Sequence, residues 1–295
     1  MRTPTALSGR AALVVVLLSA AVAAQAPAKV RTVVQPVLNM YSAPETDVDV
    51  VSQAIYATAV AVLEEKAGWT RIRTPDDYTG WVVSSALVDA PAVPYGSAKD
   101  VVQVRSLFAH VYREDSVTKH APLLTVPFEA RLELDVETGK ASERWSPVRL
   151  PDGRRGWIQN GDMAAAAGRL DVHDTIALAR AFLGLPYTWG GTSSFGYDCS
   201  GFTQMLMRQR GYVMPRDARD QAAWKGLVAV QRGELEPGDL LYFGPSEARI
   251  THTGMYIGDG QFINATTYER PVVRIDNLDD PHWARLFVAA RRVKP

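Results

Sequence analysis

The hydrophobic pattern changes period along the chain. Short stretches of alternating apolar and polar positions come first: Val33–Met40, Val50–Tyr56, Val60–Glu64, Val101–Val104, His110–Tyr112 and Ala130–Asp135. Alternation of this kind, broken by Gly, Pro and Asp, predicts half-buried strands. Beyond the stretch 164–168, rich in Ala and Gly, the spacing lengthens. Ile176, Ala179, Phe182 and Leu183 fall on one stripe of a helix over Thr175–Leu183, which Gly184-Leu185-Pro186 stops. A second helix is expected from Cys199. Phe202, Met205, Leu206 and Gln209 lie three or four apart, Asp198 occupies the N-cap position, and Gly211 ends the pattern. Two strands follow, one opened by His252 and running to Ile257, the other Gln261–Ala265, joined through Gly258-Asp259-Gly260 as a hairpin.

An internal repeat organises the strand-rich part. Trp69–Val82 reads WTRIRTPDDYTGWV and Trp145–Ile158 reads WSPVRLPDGRRGWI. Two tryptophans, an Arg, a Pro-Asp turn and a Gly coincide, which is the mark of a duplicated unit. Short strands with turns every 8–12 residues or so predict two small β-barrels, at 28–90 and 91–165. The tryptophans Trp81 and Trp157 are expected to fill the barrel cores.

Composition narrows the class. The chain has 295 residues, 47% hydrophobic and 22% charged, which suits more than one packed core. Lys+Arg and Asp+Glu both count 32, so the basic excess usual in nucleic-acid-binding proteins is missing. The N-terminus adds a compartment. Arg2 and Arg10 precede an apolar run, AALVVVLLSAAVAA, that ends in small residues. It is short for a membrane span and fits a cleaved export signal over 1–23, a retained single-span anchor being the alternative. The working protein is then periplasmic or secreted, without a stable membrane anchor.

The single cysteine, Cys199, excludes an internal disulfide and a cysteine-rich zinc site. It stands at an expected helix start, where free amides and the helix dipole favour a thiolate. A cysteine nucleophile needs an imidazole. Of five histidines, His110 and His120 belong to the second barrel, and His173 and His282 read as surface residues. His252, at the start of the hairpin, is the candidate base. Its orienting partner is Asn264, the polar residue among Phe262, Ile263 and Ala265. The two share a sheet face as diagonal neighbours if the connection is the three-residue loop Gly258-Asp259-Gly260, with Ile257 opposite Gln261 and Gly254 opposite Asn264; a two-residue turn would put them on opposite faces.

The segments around these residues carry a resemblance. Gly184-x-Pro-Tyr187-x-Trp189-Gly-Gly, Asp198-Cys199-Ser200-Gly201-Phe202, Pro215-Arg216-Asp217, Glu236-Pro-Gly-Asp239 and the run from His252 to Asn264 resemble the NlpC/p60 cysteine peptidases. The likeness spans nearly all of 170–290, and the repeats resemble bacterial SH3-like domains. Together they imply two small all-β SH3-like barrels followed by a papain-like α+β peptidase domain over 168–295. The layout resembles the γ-D-glutamyl-L-diamino acid endopeptidases, which implies peptidoglycan-derived peptides as substrates, no cofactor and no metal. Cys199, His252 and Asn264 match the catalytic positions, the third of which is commonly His in the family. Tyr187, Asp198, Ser200 and Asp217 match substrate contacts, and Tyr78 matches a tyrosine that closes the substrate's amino end. A Glu that binds a free L-alanine amine in such relatives aligns with Ala43, with Glu45 nearby. A broader murein hydrolase and a non-catalytic wall-binding protein are the alternatives.

Overall fold

The computed structural model describes residues 29–90, 95–97, 100–137, 141–165 and 168–294. The expected export signal therefore lies outside the described residues. Among the described residues no helix is long and apolar enough to cross a membrane.

The duplicated sequence folds into duplicated sheets. The first comprises β1 Val30–Val33, β2 Val37–Tyr41, β3 Val50–Ile55, β4 Ala59–Lys66, β5 Trp69–Arg73, β6 Thr79–Val83 and β7 Leu87–Asp89. The second comprises β8 Val101–Val104, β9 Phe108–Tyr112, β10 Leu124–Pro127, β11 Arg131–Leu134, β12 Trp145–Arg149, β13 Arg155–Gln159 and β14 Met163–Ala165. Their strand orders, β3-β2-β6-β5-β4-β1-β7 and β10-β9-β13-β12-β11-β8-β14, are the same order in two copies. Ile72 and Val82 in one core and Val148 and Ile158 in the other occupy matching repeat positions. The repeat's glycine has a steric reason. A Cβ on Gly80 would come within 2.9 Å of the Met40 Cβ, and one on Gly156 within 2.5 Å of a Val111 methyl.

Three expectations are corrected here. Among the described residues the outer strands of each sheet do not pair with each other, so neither sheet is a closed barrel. The stretch Val33–Met40 is two strands, because the chain bends at Gln35-Pro36 and proline donates no ladder hydrogen bond. Trp81 and Trp157 are only half-buried, since Val82 and Ile158 take the inward positions beside them. It is Trp69 and Trp145 that pack edge-on against Tyr41 and Tyr112, each at 5.5 Å between ring centroids.

The C-terminal third is α+β. Helix α1 (Val172–Ala181) starts earlier than its apolar stripe suggests, because Asp171 caps it. Leu183 is 44% exposed, while Phe182 is buried. The hairpin β15 (Thr192–Ser193) and β16 (Gly196–Tyr197) leads into α2 (Cys199–Gln209). Then come α3 (Ala218–Ala222), β17 (Leu227–Val230), β18 (Leu240–Phe243), β19 (His252–Gly258), β20 (Gln261–Thr266), β21 (Val272–Asn277), α4 (Pro281–Leu286) and β22 (Phe287–Val293). The six long strands form one antiparallel sheet, ordered β17-β22-β18-β19-β20-β21. Phe202, Met205 and Leu206 of α2 pack with Met255, Ile263 and Ala265 on one face. The other face carries Leu241, Phe243 and Phe262 against Trp283 of α4. Alternation along β19 and β20 therefore puts His252 and Asn264 on the face with Phe243 and Trp283.

Contacts tie the parts together around α2. Glu129, just before β11, accepts from Arg208 Nε at 2.9 Å and from Gln209 Nε2 at 2.5 Å. Gln53 of β3 accepts from the Thr192 amide at 3.1 Å.

Candidate active site

Cys199 is the first residue of α2, and the cap is the one its sequence calls for. The Asp198 carboxylate accepts from the Gly201 amide at 2.7 Å. Gly201 is required by contact: a Cβ there would lie 2.1 Å from the carbonyl oxygen of Gly191. The helix start and the glycine-rich loop thus touch backbone to backbone, and Cys199 is 8% exposed. The backbone amides of Thr253 and Ser200 favour the thiolate form. Thr253 directly follows His252, the first residue of β19.

The expected connection between His252 and Asn264 holds in outcome and differs in construction. Asp259 (φ 51°) and Gly260 (φ 70°) form a two-residue turn, with Gly258 paired to Gln261. Both central residues at positive φ is the arrangement of a tight hairpin turn. A bulge between Tyr256 and Gly258 then absorbs Ile257, and the register beyond it, Tyr256 to Phe262 and Met255 to Ile263, restores the parity. Ile257 does not face Gln261, yet a Cβ on Gly254 would sit 3.0 Å from Asn264 Cβ. His252 and Asn264 share a face, and His252 Nε2 lies 2.8 Å from Asn264 Oδ1.

Electrostatics correct the expectation of a resting thiolate. Burial, with the Asp198 carboxylate next, pushes the Cys199 thiol up to about 12, against the opposing pull of the two amides and Arg216. His252 is pushed down to about 4 by burial, which outweighs its bond to Asn264. The cause is visible: the imidazole stacks on Trp283 at 4.9 Å and 28°, with the Phe243 ring at 5.7 Å. His282, expected at the surface, is half-buried, stacks on Tyr268 at 3.8 Å and disfavours charge on His252. Both shifts favour a thiol and a neutral imidazole over the ion pair.

The other expected site residues converge on the same place. Tyr187 feels both Cys199 and Asp198, and burial raises its phenol. Tyr78, from the turn between β5 and β6, donates to Asp217 at 3.2 Å across the domain boundary. Burial raises the Asp217 carboxyl and pushes the Tyr78 phenol up to about 12. Asp198 and Ser200 are brought in, but by a residue that sequence reasoning left without a role. Arg216, 2% exposed, donates to Asp198 at 2.6 and 3.0 Å, to Ser200 Oγ at 2.8 Å and to Ser52 Oγ of β3 at 3.2 Å. Its signal was its place in the Pro-Arg-Asp motif. Ala43 and the exposed Glu45 lie in the loop 42–49 of the first sheet, and Glu45 donates its amide to the Ala43 carbonyl at 2.8 Å.

A buried cysteine at a helix start and, on strand β19, an imidazole held by an amide are the groups a cysteine hydrolase uses. Comparison with known proteins agrees. Residues 184–292 match the NlpC/P60 family, and residues 40–87 match the bacterial dipeptidyl-peptidase Sh3 domain. A γ-D-glutamyl-L-lysine dipeptidyl-peptidase of Bacillus cereus is 32% identical over 83% of this chain and 75% of its own. One of Bacillus subtilis is 31% identical over 84% of this chain and 82% of its own. The crystal structure of an NlpC/P60 family protein from Bacillus cereus superposes with a TM-score of 0.78 at 26% identity, covering 90% of this chain and all of that one. The chain belongs to the NlpC/P60 family of cysteine peptidases.

Proposed function

We propose that the protein hydrolyses the bond between γ-D-glutamate and the diamino acid of peptidoglycan stem peptides, acting on small muropeptides that carry a free N-terminal L-alanine. The observation that carries this reading is the contact between Tyr78 and Asp217, 3.2 Å apart, which sets a first-domain residue against a peptidase loop. A wall on that side admits a short peptide end and obstructs an intact glycan-linked stem. The two long relatives named for γ-D-glutamyl-L-lysine bonds support the same chemistry.

In this reading Cys199 is the nucleophile, His252 the general base and Asn264 its orienting group. His252 takes the thiol proton as sulfur attacks the γ-carbonyl carbon, then gives it to the leaving amine; water resolves the acyl-enzyme. The Cys199 backbone amide, in the first turn of α2, donates to the forming oxyanion in this reading. The neutral resting pair makes proton transfer part of the attack. Asp217 and Tyr78 take the substrate's amino end, with Tyr187 and the Asp198–Ser200 segment around the D-glutamyl part.

The two N-terminal sheets are read as a pair of SH3-like domains, a reading supported by their shared strand order. The leader over 1–23 makes the protein periplasmic or secreted. A broader murein endopeptidase is the second reading, favoured by Ala43, which offers an incoming amine no carboxylate. Parallel digests of L-Ala-γ-D-Glu-diaminopimelate, its N-acetylated form and intact sacculi separate the two. Cleavage confined to the free tripeptide is expected; equal cleavage of all three points to the broader enzyme.

A further inference from the structure

Asn264 must meet His252 with the right end of its amide. A side-chain amide has an accepting end and a donating end of nearly the same shape, and only one of them serves a catalytic base. If Oδ1 faces His252, Nε2 must carry the ring proton and Nδ1 is left free to accept one. If the amide is turned over, its NH2 donates to Nε2, the proton moves to Nδ1, and the base has no free lone pair where it is needed.

The surroundings choose between these states. Asn264 is fully buried. On the side away from His252 its nitrogen lies 2.9 Å from Asp276 Oδ2 and 3.4 Å from the carbonyl oxygen of Arg274, both on β21. A carboxylate and a carbonyl only accept. The amide must therefore present NH2 to β21 and Oδ1 to His252. Asp276 is itself held: its other oxygen lies 2.8 Å from Arg274 Nη2, and the residue is 7% exposed. Register places it well, because Asn264 pairs with Arg274 and Phe262 with Asp276 across the β20–β21 ladder. Asn264 and Asp276 are diagonal neighbours on one face.

We propose that Asp276 is a positioning residue: it locks the amide of Asn264 and so fixes the proton of His252 on Nε2. The inference rests on the catalytic reading of Cys199, His252 and Asn264 given above. Asp276→Asn tests it, since an asparagine can either accept from Asn264 or donate to it and so releases the lock. Long-range proton–nitrogen NMR on protein with labelled histidine reads the tautomer of His252 directly, without turnover. Wild type is expected to show the Nε2-protonated ring alone. Asp276→Asn is expected to show a second population protonated on Nδ1, with kcat lowered on the order of tenfold or more and KM within about twofold. The exchanged pair Asn264→Asp with Asp276→Asn restores an acceptor beneath His252 and a donor beneath that acceptor. It is expected to return the ring to the Nε2 tautomer and to regain at least part of kcat. Should Asp276→Asn not fold, Asp276→Ser, also donor and acceptor, carries the same expectation. A single unchanged tautomer with unchanged kcat in the single variant overturns the proposal, as does an exchanged pair no better than the single variant. If the catalytic reading itself fails, wild type shows no Cys199-dependent turnover while the tautomer measurement still reports on the lock.

Discussion

Replacing Arg216 by methionine keeps most of the side chain's volume and deletes its charge. In the folded protein Arg216 is 2% exposed and makes a two-pronged contact with Asp198 at 2.6 and 3.0 Å, besides its bonds to Ser200 and Ser52. The pair need not be a net source of stability, because desolvating two charges costs about as much as their attraction returns. Breaking it is a different matter, since the variant leaves Asp198 buried with its counter-charge gone. Losses of this kind run to about 3–5 kcal/mol. At roughly 2–4 °C per kcal/mol for a domain of this size, melting should fall by about 10 °C. Urea titration followed by tryptophan fluorescence gives the free energy. The double variant Asp198→Asn, Arg216→Met removes the orphaned charge and keeps a competent N-cap, so it should recover more than half of the loss. An Arg216→Met protein within about 1 kcal/mol of wild type, or a double variant no more stable than the single, refutes the reasoning.

Four further outcomes follow from the same geometry. Gly201→Ala drives a methyl into the Gly191 carbonyl at 2.1 Å, so it should cost about 2 kcal/mol or more by chemical denaturation and displace the helix start, with activity falling too. The depressed His252 makes the base neutral until pH falls through about 4, so the acid limb of kcat/KM should lie below the ordinary imidazole value of about 6.5; a limb at or above that value contradicts the burial argument. The same shift means the unfolded chain binds a proton between those two values that the folded chain refuses, so His252's contribution to stability declines as pH drops from about 6.5 toward 4. Glu129→Gln removes the charge that Arg208 meets, and thermal scans should show about 2–4 °C or more of destabilisation of the contact between the second sheet and α2.

What the sequence made legible was local. Asp198 before Cys199 is a cap whose partner lies three residues on, and the Trp69 and Trp145 segments repeat the same turn chemistry, so both could be read without knowing the fold. The requirement that His252 and Asn264 share a face was also readable, because parity is a property of the strands. How the chain meets that requirement was not. A two-residue turn plus a bulge at Ile257 gives the same parity as a three-residue loop, and glycine and aspartate suit both. Arg216, Asp276 and Trp283 escaped for another reason: each acts on a residue brought near by the tertiary fold. Burial escaped likewise. A helix start favours a thiolate in a solvated setting, and here burial, with the Asp198 carboxylate next, opposes it. For Trp81 and Trp157 size does not mean burial: the alternation through Val82 and Ile158 points them outward.

The central claim is that Cys199 cleaves a γ-D-glutamyl bond with His252 as its base. Mass spectrometry of L-Ala-γ-D-Glu-diaminopimelate incubated with wild type and with Cys199→Ala tests it directly. Wild type is expected to yield the dipeptide L-Ala-D-Glu and free diaminopimelate, and the variant to leave the tripeptide intact. Intact tripeptide with wild type, or the same two products from Cys199→Ala, contradicts it.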